Sequence, residues 1–156
     1  MILRKGDMFE HVEPNLGLVA TGNNCITKYG NLVMGAGSAK SLAQFEPVLP
    51  IIFGHMLQHS TYDTYSIMIT CLYHRLKFPL YYGLLATKGH WTNPSKLEVV
   101  LFNIDQFRQV ITKQYKNITW RLAFPGINNG GLLDKKDIIL EELKKLPDNV
   151  EVWERN

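Results

Sequence analysis

The sequence predicts an α/β layered fold in a single domain, and three features of the chain support this prediction. Short apolar runs rich in β-branched and aromatic residues alternate with longer segments whose apolar residues recur at helical spacing. The length of 156 residues, with 46% hydrophobic and 20% charged residues, is ordinary for one globular domain with one core. The sequence contains no internal repeat or linker-like stretch, so we expect one domain over residues 1–156.

Five short apolar runs are predicted to be strands of the sheet. They are rich in β-branched and aromatic residues, which fit the half-buried surface of a sheet. Their ranges are 16–20, 65–72, 80–86, 118–124 and 150–153. A first short strand is also expected immediately before Gly6.

Four segments are predicted to be helices, with ranges 38–45, 47–58, 94–115 and 135–146. The third begins with Pro94, which suits a first helical turn, and its apolar stripe lies opposite Glu98, Asp105, Arg108 and Lys113. A helix of this kind covers one face of a sheet. Ligands of α/β folds bind at the loops that follow the carboxyl ends of strands, so we expect the functional residues there.

The charge balance does not indicate a strongly basic nucleic-acid-binding surface. The chain has 17 Lys and Arg residues against 14 Asp and Glu residues, which gives a net charge of +3. Proteins that bind nucleic acid tightly concentrate a larger basic surplus in stripes or patches. A small positive surplus still suits a nucleotide-sized anion.

The cysteines and the N-terminal residues indicate a soluble protein in a reducing compartment. Cys25 and Cys71 have no metal-type spacing, so we expect reduced thiols, no zinc or other metal site, and a cytoplasmic location. The first residues lack the apolar core of a signal peptide, and no apolar run approaches the roughly 20 residues that span a bilayer. We therefore expect no membrane partner and no cofactor.

The first candidate site is a glycine-containing loop that leads directly into the first predicted helix. Met34, Gly35, Ala36, Gly37 and Ser38 place backbone N–H groups and a helix N-terminus where they can face a phosphate or a ribose. The dinucleotide-binding fingerprint and the phosphate-binding P-loop are both incomplete here. A turn whose glycines allow positive φ is the simpler explanation when this loop is taken alone.

The second candidate is the loop over residues 124–132, which follows a predicted strand and precedes a helical segment. It contains Asn128, Asn129, Gly130, Gly131 and Leu132, and its backbone amides could bind a diphosphate. Asn-Gly-Gly is also an ordinary tight-turn sequence. Two strand-to-helix loops of this type in one small domain favour binding, because side by side they could surround a pyrophosphate and the adjacent ribose.

Two further candidates carry side chains with chemistry of their own. Lys88, His90 and Trp91 follow the strand predicted over residues 80–86, and a desolvated lysine can act as an amine nucleophile. Taken singly, each has a structural explanation, as a solvated charge, a capping residue or a cover over the core. Asp7 follows the first short strand, where it could accept from an exocyclic amine of adenine or form an Asx turn.

Taken together, these segments resemble the macro domains, specifically the branch with the terminal ADP-ribose protein glycohydrolase and the DNA ADP-ribosyl glycohydrolase antitoxins. Residues 6–9 resemble the adenine site of that family, and residues 34–37 resemble its distal-ribose loop. The most specific similarity is Thr87-Lys88-Gly89-His90-Trp91 followed by Pro94-Ser95-Lys96-Leu97-Glu98, which looks like the DNA-directed enzymes. The resemblance covers nearly the whole chain and implies a macro-domain-like three-layer α/β/α sandwich with a mixed sheet.

The resemblance also implies roles for individual residues. Lys88 matches the lysine proposed to engage the anomeric carbon of ribose while a carboxylate moves protons. Leu133 stands where the family's phosphate loop continues into its catalytic Asp, and Asp134 follows one place later. Lys88 and Asp134 are therefore the catalytic candidates. The ligand-binding candidates are Asp7, Met8, Asn23, Asn24, Met34, Gly35, Ala36, Gly37, Ser38, His90, Trp91, Asn128, Asn129, Gly130, Gly131, Leu132 and Trp153, with Asn23 and Asn24 as alternatives beside the ribose.

The resemblance implies several functions, between which the sequence leaves the choice open. The first is an ADP-ribosyl glycohydrolase that removes ADP-ribose from a modified nucleic-acid base or an acidic side chain, with single-stranded DNA as one substrate. A second is a non-catalytic protein that binds or sequesters ADP-ribose or a related nucleotide. A third is a phosphatase acting on ADP-ribose 1″-phosphate. A nucleic-acid-binding module is a different class, and the modest net charge counts against it.

Overall fold

The computed structural model describes residues 1–59, 67–75, 77–127 and 130–155 of the chain. The strands within these ranges are β1 (Ile2–Lys5), β2 (Leu16–Asn23), β3 (Ile67–His74), β4 (Phe78–Lys88), β5 (Thr119–Ala123) and β6 (Val150–Glu154). The helices are α1 (Gly37–Phe45), α2 (Leu49–Gln58), α3 (Leu97–Gln114) and α4 (Lys136–Leu143), and a short 3-10 turn, Leu133–Lys135, precedes α4.

The strands form one mixed sheet in the order β1-β6-β5-β2-β4-β3. Neighbouring strands are parallel from β1 across to β4, and β3 alone runs antiparallel to its neighbour β4. The carboxyl ends of the parallel strands therefore meet at a single edge of the sheet, and the loops that follow them come together there. The predicted α/β fold with a mixed sheet is confirmed.

Helices cover both faces of the sheet, as the three-layer prediction requires. In β2, Leu18 faces the core that α1 and α2 cover, where it joins Phe53, whereas the next residue, Val19, faces the core under α3 and α4, where it joins Ile104. This alternation follows from the pleat of a strand, in which successive side chains point to opposite faces. Both cores are fully buried at these positions, so the sheet is a rigid base for the loops at its edge.

Most predicted elements are present with shifted ends. The observed β2 and β4 are longer than predicted and end at Asn23 and Lys88, so that two candidate site residues stand at the strand ends. The strand predicted over residues 65–72 corresponds to β3, and its first two residues lie outside the described residues. The helix predicted from Pro47 begins at Leu49, and the one predicted over residues 135–146 spans Lys136–Leu143.

The predicted start of the third helix at Pro94 is wrong, because the helix begins at Leu97. Two backbone hydrogen bonds hold the preceding residues in an extended path: Ser95 N donates to Gly130 O at 2.9 Å, and Lys96 N donates to Thr87 O at 3.0 Å. The segment before α3 thus ties two loops of the candidate site together instead of continuing the helix.

Candidate functional site

A groove of about 1300 Å³ lies at the edge where the parallel strands end and extends along α1. Its lining includes residues from each of the four candidate segments of the sequence and also Asn23 at the end of β2. The residues from the four segments are Asp7 and Met8 after β1, Gly35, Ala36, Gly37 and Ser38 at the start of α1, Lys88 at the end of β4 with Trp91 after it, and Gly130 in the loop after β5. Trp153 of β6 also lines the groove, so the structure brings most of the predicted ligand-binding residues together.

A β-bulge places Lys88 in this groove. Gly22 of β2 pairs with Ala86 of β4, but the next residue, Asn23, pairs with Lys88, so Thr87 has no partner in β2. The Thr87 side chain is buried, and its Oγ1 donates to Gly22 O at 3.3 Å. An extra residue in one strand re-aims the side chain that follows it, and here that side chain is the amine of Lys88, beside Asn23.

A buried hydroxyl network links the Lys88 strand to the loop after β5. Ser95 Oγ donates to Thr87 Oγ1 at 2.9 Å, and the backbone N–H of Ser95 donates to Gly130 O at 2.9 Å. A Cβ atom at Gly130 would lie 2.5 Å from Ser95 Oγ, so only glycine fits this contact. Behind it, buried Asn103 of α3 donates to Ala86 O at 2.6 Å. The end of β4 is therefore fixed from two sides.

The glycine loop before α1 presents backbone donors to the groove. Helix α1 begins at Gly37, at a φ of 59°, and neither a side-chain cap nor an acidic residue satisfies its first turn. Ser38 Oγ accepts from the backbone N–H of Thr21 at 3.0 Å, which anchors this turn to β2. A Cβ atom at Gly35 would meet no heavy atom within 4 Å, so this part of the loop is open. Unsatisfied N–H groups at a helix N-terminus suit an anion.

The loop after β5 forms the facing wall. Gly126 and Gly131 have φ values of 81° and 76°, and Leu132 N donates to Gly126 O at 2.8 Å. Gly126 and Gly130 line the groove, while Gly131 and Leu132 are not part of its lining. The ligand-binding candidates Asn128 and Asn129 lie outside the described residues.

The part of the groove next to β1 and β6, called the nucleoside end below, has the features of a nucleoside pocket. Met8 is buried, and Asp7 Oδ1 accepts from Phe9 N at 2.9 Å, which forms the Asx turn considered from the sequence. Trp153 packs over Gly6, where a Cβ atom would lie 3.6 Å from its ring. Arg121, 8% exposed, lies 5.3 Å from the centre of the Trp153 ring. An aromatic ring beside a carboxylate can accommodate a base with an exocyclic amine.

The two asparagines have different environments. Asn23 lines the groove, but its side chain donates to Val33 O at 3.2 Å and accepts from Cys25 N at 2.8 Å, so it also fixes the loop after β2. Asn24 is not part of the lining, and both polar atoms of its side chain are buried without a hydrogen-bond partner among the described residues. Asn23 is therefore the one positioned beside Lys88.

The remaining candidates lie around the groove or under it. Met34 is 8% exposed and belongs to the core beneath α1. His90 stacks on exposed Trp91 with ring centres 5.5 Å apart, and its Nδ1 lies 2.7 Å from Thr92 Oγ1, so it supports the Trp91 side of the groove. Asp134 is exposed in the 3-10 turn and is not part of the groove lining.

Sequence reasoning missed a second set of lining residues at the α1 end of the groove. They are Gln44, Phe45, Arg75 and Arg155, and they adjoin Phe9 of the segment already compared with an adenine site. Gln44 and Phe45 stand at the C-terminal end of a helix, and the arginines belong to a β-turn and a chain segment far away in sequence. No local motif marks them, and only the antiparallel pairing of β3 with β4 and the position of β6 bring them together.

The described residues contain no cluster suited to a metal ion and no helix suited to a membrane span. No group of three or more His, Cys, Asp or Glu residues in the described part of the chain could hold a metal ion. Among the helices of those ranges, none is long and apolar enough to cross a membrane. Both cysteines, Cys25 and Cys71, are free.

Comparison with known proteins assigns the fold. No family model and no curated protein matches the sequence. Among solved structures, the macrodomain of Thermus aquaticus DarG matches with a TM-score of 0.74 and 26% identity over 99% of this chain and 98% of that one. The macrodomain of Mycobacterium tuberculosis DarG matches with a TM-score of 0.72 and 21% identity over 97% of both chains.

A third structure, Thermosipho africanus DarTG in complex with ADP-ribose, matches with a TM-score of 0.68 and 17% identity over 90% of this chain and 38% of that chain. The fold of this chain, with its mixed sheet between helical layers, is that of a macro domain. Within that class the chain is similar to the DarG branch, so the resemblance inferred from the sequence is confirmed.

Proposed function

We propose that the groove binds ADP-ribose and that the protein hydrolyses the bond between ADP-ribose and a modified nucleic-acid base or acidic side chain. The observation that carries this proposal is that Lys88 lines the same groove as glycines of two loops, one of which is the uncapped start of α1. The Thermosipho africanus DarTG structure, which is similar to this chain over 38% of its own length, was solved in complex with ADP-ribose, and this supports the choice of ligand.

The lining suggests how the ligand lies. The first turn of α1 and the loop around Gly126 and Gly130 would bind the pyrophosphate, since both present glycines and backbone amides to the same space. Adenine would occupy the nucleoside end, between Asp7 and Trp153. The distal ribose would then lie beside Asn23 and Lys88, with its anomeric carbon facing the amine.

This placement makes Lys88 the nucleophile. The nitrogen lone pair of its amine attacks the anomeric carbon, and the bond to the base or carboxylate breaks with its electron pair. The proton that the attacking nitrogen gives up passes to the leaving group. Water then displaces the lysine and releases ADP-ribose. Asp134 in the role of general acid and base requires the 3-10 turn at residues 133–135 to move toward the groove, because the side chain lies outside the lining.

The test compares Lys88→Ala with Lys96→Ala, a lysine of the adjoining segment that is exposed and outside the lining. Each protein is incubated with a single-stranded DNA oligonucleotide carrying ADP-ribose on a base and with a peptide carrying it on a glutamate. We expect wild type and Lys96→Ala to release ADP-ribose and Lys88→Ala to lose at least 100-fold in rate while titration calorimetry still shows ADP-ribose binding. Turnover by Lys88→Ala at the wild-type rate would contradict the proposed role.

The position of Asp134 favours a second candidate, a protein that binds or sequesters ADP-ribose without hydrolysis. The carboxylates in the groove lining are Asp7 and Glu10, both far along the chain from Lys88 and at the nucleoside end. Saturable ADP-ribose binding with no release from either substrate, and no phosphate release from ADP-ribose 1″-phosphate, would support this candidate. Release of ADP-ribose by wild type that is unchanged in Asp134→Asn would show that hydrolysis proceeds without this carboxylate.

A further inference from the structure

The groove extends beyond the part that ADP-ribose would occupy. Its volume of about 1300 Å³ exceeds the range of about 300–1000 Å³ typical of pockets for single small ligands. The lining also includes Phe9 after β1, Gln44 and Phe45 in the last turn of α1, and Arg75 in the turn after β3. None of them is needed to enclose the pyrophosphate or the distal ribose.

Helix α1 forms one wall of the groove, and its length gives distances along that wall. At a rise of about 1.5 Å per residue, Ser41 lies about 6 Å from Gly37 along the helix axis, and Phe45 lies about 12 Å from it. Both residues line the groove. A ligand with its phosphates at the first turn of α1 therefore leaves the last turn free for another chemical group.

Aromatic rings line this last part of the groove. Phe9 and Phe45 have ring centres 5.6 Å apart with planes tilted by 36°. Phe45 in turn stacks on His74, with ring centres 5.0 Å apart and planes 1° apart. Burial and the nearby Arg75 lower the pKa of His74, which favours the uncharged ring that packs in this stack. The stack offers a rigid surface to a flat or apolar part of a ligand.

Two arginines without a carboxylate partner among the described residues line this end of the groove. Within the described ranges, neither Arg75 nor Arg155 forms an ion pair with a carboxylate. Arg75 is exposed in the turn between β3 and β4 at a φ of 47°, a strained backbone position for a residue with a side chain. Arg155 reaches from the end of β6 to Ser41 on α1, where its Nη2 donates to Ser41 Oγ at 2.6 Å. Two carboxylates are close by: Glu10 lines the groove, and Glu46, which follows Phe45, acts electrostatically on His74, but neither is paired with these arginines.

We propose that the α1 end of the groove is a subsite for a phosphate-bearing group attached to the adenosine side of the ligand. This inference rests on the proposed binding of ADP-ribose in the rest of the groove. Arg75 and Arg155 bind the phosphate, because guanidinium groups without a carboxylate partner are free for bidentate contacts to phosphate oxygens. The rings of Phe9 and Phe45 pack against the adjacent sugar or base.

Two ligands present this chemistry, and they can be compared directly. One is ADP-ribose with a phosphate on the 2′-hydroxyl of its adenosine ribose. The other is a dimer in which a second ADP-ribose unit is joined through the same hydroxyl. Titration calorimetry with each ligand and with unmodified ADP-ribose measures the gain from the extension. We expect at least one extended ligand to bind wild type about tenfold more tightly than ADP-ribose, with a gain that shrinks as salt is added.

The variants Arg75→Ala and Arg155→Ala test which residues produce the gain. Each variant should remove most of the gain in affinity for the extended ligand while changing the affinity for ADP-ribose less than twofold. Lys77→Ala is the matched control, since it removes the same charge from the same turn at a residue outside the lining. Alanine also keeps a Cβ at the left-handed φ of Arg75, so the backbone requirement of the turn is unchanged.

The outcomes separate this proposal from the one on which it rests. A preference for the 2′-phosphate identifies a terminal phosphate as the occupant, and a preference for the dimer identifies a chain of ADP-ribose units. Equal affinity for all three ligands, or a gain that persists in both arginine variants, would overturn the subsite and leave ADP-ribose binding intact. Failure of all three ligands to bind wild type would overturn both proposals.

Discussion

Arg121 holds the nucleoside end of the groove in place, and its replacement should have a large effect on stability. Its Nη1 donates to Met8 O at 2.9 Å and to Glu10 O at 2.6 Å, and its Nη2 donates to His11 O at 3.2 Å. Its Nε also lies 3.5 Å from Glu151 Oε1. The segment between β1 and β2 is thus fastened to β5 through one buried side chain.

The cost of Arg121→Met can be worked from these contacts. Hydrogen bonds to a charged group contribute about 1.5–3 kcal/mol each, and an unsatisfied buried carbonyl costs a similar amount. Met8 O remains buried after the substitution, whereas Glu10 and His11 are exposed and their carbonyls can be rehydrated. The three contacts therefore do not add in full, and we expect a loss of about 3–5 kcal/mol in the free energy of unfolding.

Arg4→Met is the matched control, because Arg4 Nε pairs with Oε2 of the same Glu151 at 3.2 Å but is half exposed. An exposed ion pair contributes about 0–1 kcal/mol. Urea unfolding followed by circular dichroism should show a midpoint about 2 M lower for Arg121→Met and nearly unchanged for Arg4→Met, at an ordinary urea dependence of about 1–3 kcal/mol per molar. Equal midpoints for the two variants would refute the anchoring role of Arg121.

Two further predictions concern packing and pH. Gly54→Ala should cost about 1–3 kcal/mol in thermal unfolding, because its Cβ would lie 1.9 Å from Gly30 O, while Gly35→Ala, which meets nothing within 4 Å, should leave the melting temperature unchanged. Burial raises the pKa of Tyr82 to about 12, so the folded state holds this proton more tightly than the unfolded state, and stability should fall as the pH rises from 10 toward 12. Tyr82→Phe should reduce that loss of stability at alkaline pH. At pH 7 it should be neutral or stabilising by up to about 1 kcal/mol, since the hydroxyl is buried without a partner among the described residues. A steeper loss of stability at alkaline pH in this variant would contradict the assignment.

The parts of the site that the sequence predicted are those encoded by local pattern. Lys88 could be placed beside a ligand because it ends a strong apolar run, and a parallel strand delivers its last residue to the ligand edge. The loop at Gly35 and Gly37 could be placed at a helix N-terminus because its glycines directly precede a segment with helical spacing. In both cases the strand or helix pattern and the turn residues agree about the local structure.

The parts that the sequence did not predict depend on contacts between distant segments. Ser95 was expected in the first turn of a helix, but its hydrogen bonds to Thr87 and Gly130 keep it out of α3. The choice between Asn23 and Asn24 depends on a bulge, which no residue pattern announces. Arg75 enters the groove through the direction of β3, which periodicity does not reveal.

The extra residue at Thr87 separates two tasks at the end of β4. Deleting Thr87 would restore regular pairing of β2 with β4 and leave the lysine opposite Asn23, so the register alone does not decide whether an amine stands there. The deletion would instead remove the hydroxyl that donates to Gly22 O and accepts from Ser95 Oγ. The inserted residue therefore serves the connection between the walls of the groove, whereas the residue that follows it supplies the chemistry.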